Sequence, residues 1–148
     1  MPANHYQNYF EDEIMEADPV TLVRLVYQAV LETIGQARRH LSCGAIAERS
    51  AAITKAIALL QELAVSVNHE NGGEIGRNLV ELYDYIQRQL IQSNIHQSDA
   101  PMAEAERLVS TLLEGWLACC TQAAANRPSL SHTSFEEPGV SRSLSVCL

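Results

Sequence analysis

Long apolar runs are missing from this chain: no segment approaches the roughly 20 apolar residues that a helix needs to cross a bilayer. Basic charge is sparse as well. Ten Lys and Arg stand against 18 Asp and Glu, giving a net charge of −8 over 148 residues. Nucleic-acid binders gain affinity by neutralising phosphates with Lys and Arg, and here those residues form no dense cluster. Neither a nucleic-acid partner nor an anionic membrane surface is expected. The four cysteines, Cys43, Cys119, Cys120 and Cys147, contain no Cys-x-x-Cys. Adjacent residues such as Cys119 and Cys120 rarely reach disulfide geometry, so the thiols read as reduced and the protein as cytosolic. The N-terminal stretch carries several acids and no apolar segment, unlike a secretory signal. The terminal Ser-Val-Cys-Leu is no prenylation box, because its cysteine is next to last.

Sites of chemistry are missing too. The histidines are His5, His40, His69, His96 and His132. No two stand three or four residues apart, as two ligands on one helix face would, and no Glu-x-x-His of the di-iron bundles occurs. Gly72-Gly73 lacks both the preceding strand and the Gly-Lys-Ser/Thr ending of a phosphate loop. His69-Glu70-Asn71-Gly72 echoes a histidine phosphotransfer site faintly, but it has no lysine and sits at a helix break. No cofactor, no metal and no catalytic residue is expected, and nothing supports an enzyme.

What the chain does have is helix-forming, apolar-striped sequence. Hydrophobic residues make up 47%, a globular composition in a chain of single-domain length. Asp18-Pro19 is a helix start, with Asp as N-cap and Pro at the first helical position. Leu22, Leu25, Val26, Ala29, Val30 and Ile34 follow at helical spacing. A second stripe is Ile53, Ile57, Leu60, Leu63 and Val67, and it ends before the breaker Asn71-Gly72-Gly73. The third is Ile75, Leu79, Leu82, Tyr83, Ile86 and Leu90. After the start signal Ser98-Asp99-Ala100-Pro101, a fourth runs through Met102, Ala105, Leu108, Val109, Leu112 and Trp116. The spacing predicts helices over about 19–42, 46–69, 73–94 and 99–125, with no strand. Leu25, Ile34, Leu60, Leu79, Ile86, Leu112 and Trp116 are expected to be buried.

Short connections make sequential helices antiparallel neighbours. The expected fold is therefore all-α: an antiparallel four-helix bundle over 18–125, with an extended N-terminal segment over 1–17. The serine-rich stretch 126–148 has too little apolar surface to offset its ordering entropy and reads as a disordered tail.

The segment Gly72-Gly73-Glu74-Ile75, then Asn78-Leu79 and Leu82-Tyr83-Asp84-Tyr85-Ile86, followed by Leu90 and Asn94-Ile95, closely resembles the FliS family, the export chaperones of flagellin. Further blocks agree in order. Tyr6 and Tyr9 resemble the family's N-terminal tyrosines, and Asp18-Pro19 with Leu22 and Leu25-Val26-Tyr27 its first-helix start. Lys55-Ala56 with Leu60 and Glu62-Leu63 resembles its second-helix block. Trp116 stands where its fourth-helix tryptophan is expected. The first helix departs from the family pattern, reading Tyr27-Gln28-Ala29 where the family has Tyr-Asp-Gly.

The resemblance implies a chaperone that holds flagellin's unfolded C-terminal segment as short helices in hydrophobic grooves, preventing premature polymerisation and assisting flagellar type III export. It implies flagellin as partner, with the flagellar export gate and other flagellar regulators as further candidates. Helix-in-groove binding of this kind draws on apolar burial and needs no nucleotide. Ile53, Ile57, Ile75, Leu82, Tyr83 and Ile86 are the expected groove residues on the second and third helices. Tyr6 and Tyr9 are expected at the groove as well, as a lid when no client is bound or as direct client contacts. A helical adaptor or oligomerisation module without an unfolded client would share the bundle and the acidic surface. Its outer apolar patch would be covered by its own copy.

Overall fold

Asp18 starts the first helix as its composition requires. Its carboxylate accepts the Thr21 N–H at 2.7 Å, and its carbonyl accepts the Leu22 N–H at 2.8 Å. That hydrogen bond from Thr21 holds the Asp18 carboxyl below the usual carboxylate range. The computed structural model describes residues 18–67 and 69–125. The predicted segment 1–17, with Tyr6 and Tyr9, and the predicted tail 126–148 lie outside the described residues. Four helices follow one another: α1 (Pro19–Cys43), α2 (Ile46–Ser66), α3 (His69–His96) and α4 (Asp99–Ala125). Among the described residues there is no strand.

The turns are set by local chemistry. At the end of α1, Gly44 adopts φ 71°, the left-handed conformation that glycine takes without penalty. The Ala45 N–H then reaches the His40 carbonyl at 2.9 Å and the Gly44 N–H reaches the Leu41 carbonyl at 3.2 Å. This is a Schellman ending, which satisfies two of the carbonyls that α1 leaves open. α3 ends in the same way without a glycine. Gln97 takes φ 51°, and the Ser98 N–H bonds the Ser93 carbonyl at 3.1 Å. The expected break near Asn71-Gly72-Gly73 is present, with its parts shifted. α2 stops at Ser66, where Val67 turns extended, and helical backbone resumes at His69. Gly73 interrupts it at φ 54°, ψ −131°, a conformation open to little besides glycine.

The described residues fall into two compact units. The larger is Val23–Leu113, and its polar contacts fix the directions of the helices. Arg38, near the end of α1, bonds Asp99 at the start of α4. Arg49, early in α2, bonds Asn94 late in α3. The Tyr85 hydroxyl on α3 donates to Glu104 on α4 at 2.7 Å. Each of these pairs is antiparallel, and the result is the antiparallel four-helix bundle. Its core is Val30, Ile34 and Ala37 from α1, Ile53, Ala56, Leu60 and Leu63 from α2, Tyr83, Ile86 and Leu90 from α3, and Met102, Ala105 and Val109 from α4. A fully buried side chain of the Leu or Ile type contributes about 1.5–3 kcal/mol, so this set is the main source of stability.

The smaller unit holds residues 18–22 and 114–125 of the described chain. There the Trp116 indole N–H donates to the Val20 carbonyl at 3.1 Å, tying the end of one helix to the start of another. Of the residues expected to be buried, Leu25, Ile34, Leu60 and Ile86 are. Leu79, Leu112 and Trp116 are half-buried.

Candidate client-binding face

The expected groove residues do not form one surface. Ile53, Tyr83 and Ile86 are core side chains, with 3%, 2% and 0% of their surface exposed. Each sits at the centre of its helical stripe, so the bundle consumes it, and these three are corrected from groove to core. Ile57 and Leu82 are half-buried. Ile75 is 79% exposed although it shares the stripe of Leu79 and Tyr83. It lies two residues past the Gly73 interruption, in the first turn of the regular part of α3. Tyr6 and Tyr9 lie outside the described residues.

Three isoleucines that stripe reasoning passed over are on the surface: Ile46, Ile91 and Ile95. Ile91 follows the buried Leu90 by one residue, which points it about 100° away from the core. Ile95 stands one turn further along the same face as Ile91. The antiparallel register sets Arg49 against Asn94, so Ile46 falls opposite the end of α3, whose last turn carries Ile95. Eleven residues after Ile46, about three turns, Ile57 emerges on the same side of α2. The exposed apolar side chains of this outer seam between α2 and α3 thus gather at one end, around Ile46, Ile91 and Ile95, while Asp84 and Arg88 pair with each other further along α3. The sequence does carry a signal for it. α2 is rich in apolar residues off its buried stripe, with Ala47, Ala51, Ala58 and Val65 all exposed, and a helix that is hydrophobic all round is covered on more than one side.

A polar cluster stands at one end of this seam. Arg49 is 3% exposed, and its Nε donates to Asn94 Oδ1 at 2.9 Å. An NH2 hydrogen points to the Asn94 carbonyl at 3.5 Å, and the Ser50 hydroxyl donates to the same Oδ1 at 3.3 Å. No carboxylate pairs with Arg49 among the described residues. Its charge is instead compensated by the negative end of α3, whose last carbonyls include that of Asn94.

Elsewhere the polar features are structural. Arg38 forks onto Asp99 at 2.7 and 2.8 Å and onto Glu106. These acceptors hold the guanidinium protonated and press the Asp99 carboxyl below its usual range. The shallow dent beside the fork, lined by Gly35, Arg39 and Ser42, has both its carboxylates occupied in this way. Cys43 and Cys119 are exposed free thiols, and Cys120 is half-buried. Among the described residues no three His, Cys, Asp or Glu converge as metal ligands, and no helix is long and apolar enough to cross a membrane.

The family model of the flagellar protein FliS matches residues 2–123. The chain belongs to the FliS family. It is 34% identical over 107 residues to the flagellar secretion chaperone FliS of Salmonella typhimurium, covering 72% of this chain and 79% of that relative. It is 30% identical over 112 residues to the flagellar secretion chaperone FliSB of Pseudomonas aeruginosa, covering 76% and 89%. The Bacillus subtilis flagellar secretion chaperone FliS is 26% identical over 113 residues, with 76% and 84% covered. These relatives are named as chaperones, and the family is one of chaperones rather than enzymes. Residues 124–148 extend beyond the matched span.

Proposed function

We propose that this chain is a cytosolic export chaperone that binds the unfolded C-terminal segment of flagellin. The client lies as an amphipathic helix along the outer α2–α3 seam, against Ile46, Ile57, Ile91 and Ile95. The carrying observation is the exposure of three of them, Ile95 at 64%, Ile46 at 57% and Ile91 at 44%, in a member of a family of secretion chaperones. Covering this surface hides the client's own apolar stripe, the surface that would otherwise drive its premature polymerisation, until export. Binding draws on apolar burial and uses the groove mode of helix recognition. No hydrolysis is required, and release follows when a further flagellar partner such as the export gate competes for the client. Tyr6 and Tyr9 serve as a reversible lid, since their apolar rings and polar tips suit a surface that alternates between covered and wet.

Calorimetric titration of the C-terminal flagellin peptide tests this reading. The expected result is one-to-one binding that Ile91→Asp weakens at least tenfold, about 1.4 kcal/mol, with the melting temperature kept. Absence of binding to the wild-type chain would overturn it. So would self-association through the same isoleucines with no affinity for the peptide, the behaviour of an adaptor that covers the seam with a second copy.

A further inference from the structure

The Arg49–Asn94–Ser50 cluster is more built than the bundle needs. An arginine can only donate hydrogen bonds, and a hydroxyl facing the same atom donates as well. The oxygen of the Asn94 amide must therefore face Arg49 and Ser50, as it does. That fixes the other half of the amide: Nδ2, with two donor hydrogens, is turned away from the cluster. Nδ2 makes no hydrogen bond among the described residues, and no buried side-chain nitrogen or oxygen is left without a partner. Asn94 is half-buried, so its Nδ2 meets solvent. It does so in the last turns of α3, the helix end on which Ile91 and Ile95 are exposed and which faces the start of α2 with its exposed Ile46. Behind it stands a buried guanidinium that has no carboxylate partner among the described residues, which biases the spot toward electronegative atoms.

We propose that Asn94 is a specificity-determining residue for the client: it requires the bound helix to place a side-chain oxygen acceptor, from Asn, Gln, Asp or Glu, against Nδ2. This rests on the reading that the α2–α3 seam holds the flagellin segment. The isoleucines then reward any apolar helix, whereas Asn94 discriminates among them. A client with only apolar side chains at that turn would strip water from the fixed donors and leave them unpaired, which costs more than a missing attraction. The discrimination is set before binding, because Arg49 and Ser50 hold the amide in its orientation.

The test is Asn94→Asp. It keeps the oxygen toward Arg49 and Ser50 and adds a charge that the guanidinium favours, so the fold is retained. It also turns the outward group from a donor into an acceptor. Calorimetry with the C-terminal flagellin peptide is expected to show affinity reduced about ten- to a hundredfold, with the melting temperature equal to or above that of the wild type. In parallel, each Asn, Gln, Asp and Glu of the peptide is replaced by Ala and titrated into the wild-type chain. One replacement is expected to weaken binding about tenfold, and that loss should vanish in the Asn94→Asp background, the mark of direct coupling. Wild-type binding matched by Asn94→Asp, or a peptide scan with no such position, overturns the inference and leaves the client reading standing. Failure of the wild-type chain to bind the peptide overturns both.

Discussion

The hydroxyls of Tyr27 on α1 and Tyr83 on α3 meet at 2.5 Å in the core of the larger unit, with ring centroids 6.4 Å apart and planes tilted by 48°. Each residue is almost fully buried, and each gives the other its hydrogen-bond partner. The pair fixes the register of α1 against α3, since a slide by one turn would leave two phenols unpaired in an apolar interior. Tyr83→Phe alone strands the Tyr27 hydroxyl and should destabilise the chain by about 1–3 kcal/mol. Replacing both tyrosines with Phe should cost less than the sum of the two single changes. Denaturant midpoints for the three variants, read as a double-mutant cycle, check this.

The same pair sets an alkaline limit. Burial holds both hydroxyls above the ordinary phenol value of 10.0; their shared hydrogen bond adds to the rise at Tyr83 and offsets part of it at Tyr27. In the unfolded chain both ionise near pH 10, while the folded pair resists. The stabilisation from the neutral pair is therefore complete below about pH 10 and is lost as pH rises beyond it. Melting temperature plotted against pH should fall more steeply above 10 for the wild type than for the doubly substituted chain.

At the acid end the N-cap Asp18 is one sensitive group and Asp99 is another. Arg38 presses its carboxyl below the ordinary 3.8, so its contribution is present above that pH and lost as the pH falls through the lowered value. Side-chain exposures of 36% for Arg38 and 48% for Asp99 call for a discount for screening. Arg38→Gln should cost about 1 kcal/mol or less. The loss should shrink in 0.5 M salt, where the screening length is about 4 Å. Thermal melts at low and high ionic strength measure both effects.

Gly73 should tolerate no side chain. An added Cβ would meet nothing within 4 Å, so space is not the obstacle. The backbone at φ 54°, ψ −131° is, and Gly73→Ala should cost about 1–3 kcal/mol. Gly72→Ala, at a position with no positive φ, should be neutral or slightly stabilising through the unfolded state. Paired melts separate the two.

The four helices were legible because each carries a three-four apolar stripe and strong end signals such as Asp18-Pro19 and Asn71-Gly72-Gly73. The direction of packing followed from the short connections. The proposed binding face was only half legible. A stripe shows which residues face inward and does not show where along the helix a neighbour stops covering them. Ile53 and Tyr83 therefore read as groove candidates although the core takes them, Ile86 reads as both and is core, and Leu79 reads as buried although it is half-buried. Ile91 and Ile95 lie off the stripe of α3, Ile46 stands on that of α2 at its exposed first turn, and the three become meaningful only once α2 and α3 are set side by side. The Arg49–Asn94 bond joins positions 45 residues apart, with no local pattern to announce it.

Isoleucine methyl groups offer the most direct measurement of where the client lies. Methyl NMR spectra of the chain with and without the C-terminal flagellin peptide should show Ile46, Ile57, Ile91 and Ile95 shifting with one common affinity. The core methyls of Ile34 and Ile86 should stay in place. Saturable binding that moves Ile75 and leaves the other four unchanged, or no shift at any isoleucine, would contradict the account.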